Sequence, residues 1–557
     1  MIVTLLVMIT FSYIAFFSNA FKLPNFEPWK TQLLGVDGLT EGDSLFFTEN
    51  EKNYIDIEAA RKNLKLDILW DKTSKVAVFY DGRDIYRFYA DGRVSKNGST
   101  IENETDSLVQ MNNKAYIHLD RLLEKSTLDY YLIKSLNRLV YLDTALHEES
   151  FNAPQDYRVR KSDKLLAEVV DVVKEGETYF KLETQNDWQK IMTSRGTIGY
   201  ISENKITQKG LLSDLIGNIK DLEVPEGLKS LREKTQVVAY EKYQANKLLN
   251  LTWNQFTTKT PNSSKLTAAT GLDVIIPTWF SLKEDMTLKD IGTYDYMYWA
   301  KSNGYDVWIL MSNSFSQKLT SELVNSAKNR ESVIKSLIDK TKAYGAKGIN
   351  IDFEDINIKD KDMLTQFMKE LYATCKANNL ILSMDVTFKS NSENWSLCYD
   401  RPELAKFTDY MIVMAYDQHT AGGGIAGPVS SIAWVDRGIE NFLSEVPHEQ
   451  VILGVPYYTR LWQIDENGKA KSTVYSMDKI QEKLKQEKVN ISYDEKEGLN
   501  YAEYIKSGLQ YKVWIEDEVS IRNRIEIIRK NELAGIASWK KGFENANIWS
   551  IIHKSIR

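Results

Sequence analysis

At 557 residues and 64.2 kDa the chain exceeds the size of one ordinary domain, and its length suggests roughly three or four. Its 43% hydrophobic and 27% charged residues are those of a folded globular protein, which excludes a disordered chain and a polytopic membrane protein. A net charge of −6, with no Lys/Arg block, provides no basic field for a nucleic acid.

Residues 2–17 form an uncharged apolar run, and Ser18-Asn19-Ala20 after it reads as a small-x-small cleavage site. Residues 1–20 are therefore expected to be a signal peptide or a membrane anchor. The run lacks the usual preceding Lys/Arg and is long enough to span a bilayer, so both forms of export stay open, with an extracellular or cell-surface location in either case.

Residues 36–150 contain what reads as a duplicated unit. Lys52-Asn53-Tyr54-Ile55-Asp56-Ile57 and Lys114-Ala115-Tyr116-Ile117-His118-Leu119 each open a strand, followed by a helix-like stretch and an aromatic-rich strand. This α+β segment resembles the stalk module named after the amino-terminal domain of copper amine oxidases, which implies a spacer or adhesive role and no copper. From 155 to 207 short β-like runs alternate with turn signals, as in a small β-barrel. Tyr157-Arg158-Val159-Arg160, Trp188 and Gly196-Thr197-Ile198-Gly199-Tyr200-Ile201 resemble the bacterial Src-homology-3-like module of wall-binding proteins. The charged stretch 208–234, with Pro225-Glu226-Gly227, fits a linker.

From 235 to 557 the pattern is α/β. Apolar, β-branched runs at Val237–Tyr240, Leu272–Pro277, Val307–Met311, Gly348–Phe353, Leu380–Val386, Tyr410–Ala415, Val451–Pro456 and Leu533–Trp539 are mostly separated by amphipathic helical stretches. Eight such alternations predict a (β/α)₈ TIM barrel, with a small α+β insertion at about 461–532 before the last strand.

In such barrels chemistry sits at the carboxyl ends of the strands. Those ends carry Trp279, Asn313, Asp352, Glu354, Tyr416, Asp417, Tyr457, Tyr458 and Trp539. Acids mixed with aromatics suit a carbohydrate, because ring faces stack on pyranoses while carboxylates address hydroxyls and amides. Within Gly348-Ile349-Asn350-Ile351-Asp352-Phe353-Glu354 the period of two puts Asn350, Asp352 and Glu354 on one face and three large apolar residues on the other. Five scattered histidines and two cysteines, Cys375 and Cys398, make no metal-ligand spacing, so neither a metal nor a cofactor is expected. One bond between the two cysteines stays open.

The barrel resembles glycoside hydrolase family 18, whose signature is Asp-x-x-Asp-x-Asp-x-Glu on the fourth strand. The matching positions are Lys347, Asn350, Asp352 and Glu354, so two of the four acids are present. Met414-Ala415-Tyr416-Asp417 and Gly535-Ile536-Ala537-Ser538-Trp539 match two further family motifs. Pro277 to Leu282, Gly348 to Glu354 and Gly454 to Trp462 resemble its spore-cortex and cell-wall branch, where Asn350 is usual.

The resemblance implies retaining, substrate-assisted hydrolysis at a β-linked N-acetylglucosamine: Glu354 as proton donor, Asp352 orienting the acetamido group, and Tyr416 bonding its oxygen. Asn350, Asp417, Trp539, Trp279, Tyr457, Arg460, Trp462 and Glu516 are the expected substrate-binding residues. The appended modules favour peptidoglycan over chitin as partner. Two other classes remain open on sequence: a catalytically silent barrel that binds wall glycan, and a scaffold whose function lies in its first 207 residues.

Overall fold

The computed structural model describes residues 30–202, apart from breaks at 36–37, 104–106, 125, 127, 134–137, 144–149, 165–166, 186 and 194–196, then 209–210, 222–223 and 238–556. The expected signal or anchor at 1–20 lies outside the described residues. So does the expected linker at 208–234, except the two-residue strands Lys209–Gly210 and Leu222–Glu223, which pair back onto Ser150–Phe151 and Leu132–Ile133.

The first domain contains the duplication as a recurring hairpin, short helix and second hairpin. One copy runs Phe46–Glu49, Lys52–Asp56, helix Ile57–Asn63, Asp67–Asp71 and Val76–Tyr80. The other runs Leu108–Met111, Lys114–His118, helix Leu119–Leu123, Leu128–Ile133 and Arg138–Asp143. The two copies meet antiparallel, with Ile55 opposite Ile117 and Tyr54 opposite His118. Ile55 therefore faces its own counterpart, while Tyr54 and Asp56 each face the counterpart of the other, which is the register of a local two-fold. Three additional strands, Ile85–Tyr89, Arg93–Lys96 and Ser99–Asn103, extend the first copy into a five-stranded sheet. Next comes a small seven-stranded sheet running from Ser150 to Gly210, closed over Phe151, Tyr157, Val159, Tyr179, Ile191 and Ile201.

Residues 249–539 contain a closed eight-stranded parallel barrel. Its strands are β1 (Leu249–Asn254), β2 (Val274–Pro277), β3 (Asp306–Ser312), β4 (Gly348–Asp352), β5 (Ile381–Val386), β6 (Tyr410–Met414), β7 (Val451–Pro456) and β8 (Gly535–Trp539), and β8 pairs with β1 to close the ring. Two helices matter below, α1 (Ala327–Tyr344) and α2 (Lys361–Ala377). An outer core of Ile349, Ile351, Phe353, Leu382, Met384 and others packs strands against helices. An inner core of Leu251, Trp253, Trp308, Leu310, Tyr410 and Ile412 fills the barrel. Gly348 opens β4 because a Cβ there would lie 2.9 Å from both the Trp308 ring and the Ile381 carbonyl.

Seven of the eight strands lie where the sequence predicts them. The first does not: residues 238–240 are not a strand, Val238 is 67% exposed, and β1 is the later run Leu-Asn-Leu-Thr-Trp-Asn. Its alternate polar residues hide it from a hydrophobicity reading, yet all are buried and bonded. Asn250 donates to the Gly271 carbonyl, Thr252 to the Ser538 carbonyl, and Asn254 to the Tyr296 hydroxyl. Between β7 and β8 an inserted five-stranded sheet with one helix spans Tyr458 to Ile515. Cys375 and Cys398 are both free and buried.

The duplicated domain is docked on the barrel. Val76, Val78, Ile85 and Tyr89 pack on Ala327 of α1 and Ala373 of α2. Asp71 accepts the Ala327 N–H at 2.6 Å, so a residue of the first domain caps the barrel's α1. At the centre Arg87 reaches Glu370 of α2 at 2.6 Å, and Arg330 of α1 holds the other carboxylate oxygen at 2.8 Å.

Candidate active site

The alternation on β4 decides what faces the barrel interior. Ile349, Ile351 and Phe353 point into the outer core, where Phe353 stacks on Phe367 of α2 with ring centres 5.7 Å apart. Asn350 and Asp352 point inward. Past the strand, Asp355 takes a left-handed conformation (φ +50°), which turns the chain sharply after Glu354. Asn313 holds that turn. Its amide donates to the Glu354 carbonyl at 2.7 Å and accepts the Glu354 N–H at 3.3 Å, while the Tyr399 hydroxyl donates to the Phe353 carbonyl at 2.7 Å.

Asp352 and Glu354 hydrogen-bond to each other, and with Asp352 8% exposed the pair shares a nearly dry site. Burial pushes Asp352 up to about 6. Burial, and then the charge of Asp352, pushes Glu354 up to about 9. Two close carboxyls in low dielectric retain one proton between them, and here it rests on Glu354 near neutral pH. Asp352 Oδ1 is buried with no hydrogen-bond partner among the described residues. An unpaired buried carboxylate oxygen is costly, and it marks a place prepared for an external N–H or O–H.

The remaining walls come from β1, β6, β7 and β8. Tyr416 follows β6 with its ring edge-on to Trp253 (6.5 Å) and Tyr458 (6.4 Å); burial, then the nearby Asp385, holds its phenol well above the usual value. Asp417 is left-handed (φ +57°) and accepts from the Tyr458 hydroxyl at 2.7 Å and from Arg460 at 3.1 Å. Trp539 ends β8 with its ring 5.8 Å from that of Trp253. Trp539 and Asp352 line a cleft together with Gln255, Lys289, Ser312 and Phe315.

The structure thus gathers Asp352, Glu354, Tyr416, Asp417, Arg460 and Trp539 around one opening. It places other expected contacts elsewhere. Tyr457 is fully buried in the outer core with its ring against Trp549, and its neighbour Tyr458 turns to the site instead, a parity error of one residue. Trp462 is fully buried and donates to the Gly427 carbonyl at 2.7 Å, so it secures a loop. Both oxygens of Glu516 are taken by Arg524, which also bonds the Ser430 carbonyl; the carboxylate ties the insertion to the β6 loop and offers nothing to a ligand. Trp279 is 1% exposed, packed on Tyr296 and Tyr344, and contributes only to the cleft wall from behind. Asn350 lies wholly inside, beneath Asp352. Lys347, at the opposite end of β4, is exposed and remote from the opening.

Sequence reasoning passed over Trp253, Phe315 and Tyr399, and assigned no role to Asp385. For Asp385 the signal was present: a carboxyl at inward parity with Ser383 in an otherwise apolar strand.

A closed (β/α)₈ barrel with a proton-sharing acid pair and aromatics at the carboxyl ends of its strands defines a glycosidase-type scaffold. The sequence pattern of glycosyl hydrolases family 18 matches residues 237–544, more than half of the chain, and the chain belongs to that family. It is 29% identical over 234 residues to the putative sporulation-specific glycosylase YdhD of Bacillus subtilis, covering 42% of this chain and 55% of that one. It is 24% identical over 248 residues to the cortical fragment-lytic enzyme of the same organism, covering 44% and 57%. The chain therefore spans little more than half the length of these two relatives. Among solved structures, the spore cortex-lytic enzyme SleL of Bacillus megaterium QM B1551 superposes with a TM-score of 0.52 over 58% of this chain and 77% of that one, at 22% identity, a likeness of fold.

Proposed function

We propose that the protein is an exported, wall-associated glycosidase that cleaves β-linked N-acetylglucosamine in peptidoglycan with retention, using the substrate's own acetamido group as nucleophile. The observation that carries this reading is the free Asp352 Oδ1 beside a protonated Glu354. An acetamido N–H is a donor of the kind that oxygen lacks. Bonding it would turn the acetamido oxygen toward the anomeric carbon and stabilise the positive oxazolinium that forms. Glu354, neutral at pH 7, gives its proton to the departing glycosidic oxygen and then, as a carboxylate, takes one from the incoming water. Tyr416, whose phenol burial keeps neutral, would donate to the acetamido oxygen, and Trp539 would underlie the sugar ring. No side chain is required as a covalent nucleophile.

The preference for peptidoglycan over chitin rests on the wall-module resemblance of the two N-terminal domains and on the similarity to cortex-lytic enzymes. The test is reducing-end release from purified peptidoglycan and from chitin by wild type and by Glu354→Gln. Release from peptidoglycan that vanishes in the variant supports the reading. Tight binding of wall material by wild type without release defeats it.

A further inference from the structure

Beside Asp352, on the adjacent strand, the barrel interior holds a third carboxyl that the mechanism above does not use. Asp385 is 1% exposed and points inward from β5. The β4–β5 ladder pairs Asn350 with Ser383 and Ile351 with Met384, which sets Asp385 level with Asp352 on the adjacent strand. Asp385 makes no ion pair among the described residues. Its Oδ1 accepts from the Asn350 amide at 2.8 Å and its Oδ2 from the Trp253 indole at 3.2 Å. The same indole also approaches the Asn350 oxygen at 3.3 Å, and the Asn350 amide reaches Ser383 at 3.0 Å. Three strands, β1, β4 and β5, are thus tied by one closed set of hydrogen bonds directly under the acid pair.

We propose that Asp385 is a positioning residue that supplies, from the fifth strand, the buried carboxyl which Asn350 does not provide from the fourth, and that it aims Asp352 at Glu354. The inference deepens the proposed function and rests on it. Two features support it. First, Asn350 and Asp385 together carry one carboxyl and one amide in contact, and their exchange would leave the same groups facing the same Trp253 and Ser383 partners. Second, Oδ1 and Oδ2 of Asp385 accept from the Asn350 amide and the Trp253 indole, which fixes the orientation of the carboxyl beside Asp352. Asp352 thus has one acid on its β5 side and another, Glu354, on its own strand, and its Oδ1 has no hydrogen-bond partner among the described residues. Burial, followed by the charge of Asp352, holds Asp385 well above the ordinary carboxylate range; the ionisable groups facing it are Asp352 and Glu354 from the β4 side and Tyr416 from β6.

The test is a cycle of Asp385→Asn, Asn350→Asp and the double exchange, read by melting temperature and by kcat, KM and pH profile on peptidoglycan. Asp385→Asn replaces one of two acceptor oxygens by an N–H₂ that must face a donor, either the Asn350 amide or the Trp253 indole, and is expected to lower kcat about tenfold or more with KM little changed, and to move the acidic limb of the profile. Asn350→Asp adds a further buried acid and is expected to lower the melting temperature. The double exchange is expected to recover both. Asp385→Asn with wild-type kcat and pH profile, or a double exchange no better than either single change, overturns the proposal. If wild type proves inactive while the exchange still restores the melting temperature, the activity reading has failed and the pairing of 350 with 385 stands.

Discussion

Arg87→Met removes one of the two cations that make a buried carboxylate tolerable at the domain junction. Glu370 has no exposed surface, and Arg87 and Arg330 are each 1% exposed, so water supplies no replacement. Burial alone would raise the Glu370 carboxyl, but the charges of Arg330 and then Arg87 outweigh it and hold the group below its usual range. Breaking one arm of such a buried arrangement typically costs about 3–5 kcal/mol, because the remaining charge stays desolvated and half paired. Methionine keeps most of the side-chain volume, so the loss is electrostatic rather than a cavity. The sign with pH follows. With both arginines the pair stabilises the fold above the unfolded carboxylate value and loses that contribution as pH falls. In the variant Glu370 favours its proton, so the penalty is largest near neutral pH and shrinks toward pH 5. Urea unfolding of the whole chain, followed by tryptophan fluorescence at pH 7 and pH 5, reads both effects. Replacing Arg87, Arg330 and Glu370 together by Met, Met and Leu is expected to recover much of the loss. A single variant as stable as wild type at pH 7 would refute the claim that the duplicated domain and the barrel are one cohesive unit.

Other outcomes follow from the site. Glu354→Gln removes the proton donor and is expected to lower kcat by about 10²–10⁴-fold without loss of wall binding, checked by reducing-end release beside a pull-down. kcat/KM should be bell-shaped, rising as Asp352 ionises near the pair's lower value of about 6 and falling as Glu354 loses its proton near about 9; Glu354→Gln abolishes what remains of the alkaline fall. Tyr458→Phe breaks the bond to Asp417 and should raise KM or lower kcat, whereas Tyr457→Phe, which alters a fully buried outer-core side chain, should leave both unchanged. Glu516→Gln should lower the melting temperature by uncoupling Arg524 yet leave KM unaltered, since that carboxylate faces no ligand.

The barrel and its acid pair were legible because period-two alternation makes a fourth strand with Asp352 and Glu354 hard to read otherwise. What escaped did so for physical reasons. β1 alternates Asn250, Thr252 and Asn254, whose hydrogen-bond partners come from residues far along the chain, so its polarity argued against burial. Tyr457 and Tyr458 differ by one position, and strand end does not reveal which turns inward. Glu516 looked available as an acid until Arg524, eight residues on, was seen to occupy both oxygens. The docking of the first domain was invisible for the same cause: Arg87 and Glu370 are 283 positions apart, and neither is unusual by itself.

The anomeric configuration of the first product tests substrate-assisted retention most directly. Proton nuclear magnetic resonance of a peptidoglycan digest, recorded before mutarotation, is predicted to show the β-anomer at the new reducing end, with the signal absent in Glu354→Gln. An α-anomer, or product formation undiminished in that variant, would contradict substrate-assisted retention by Asp352 and Glu354.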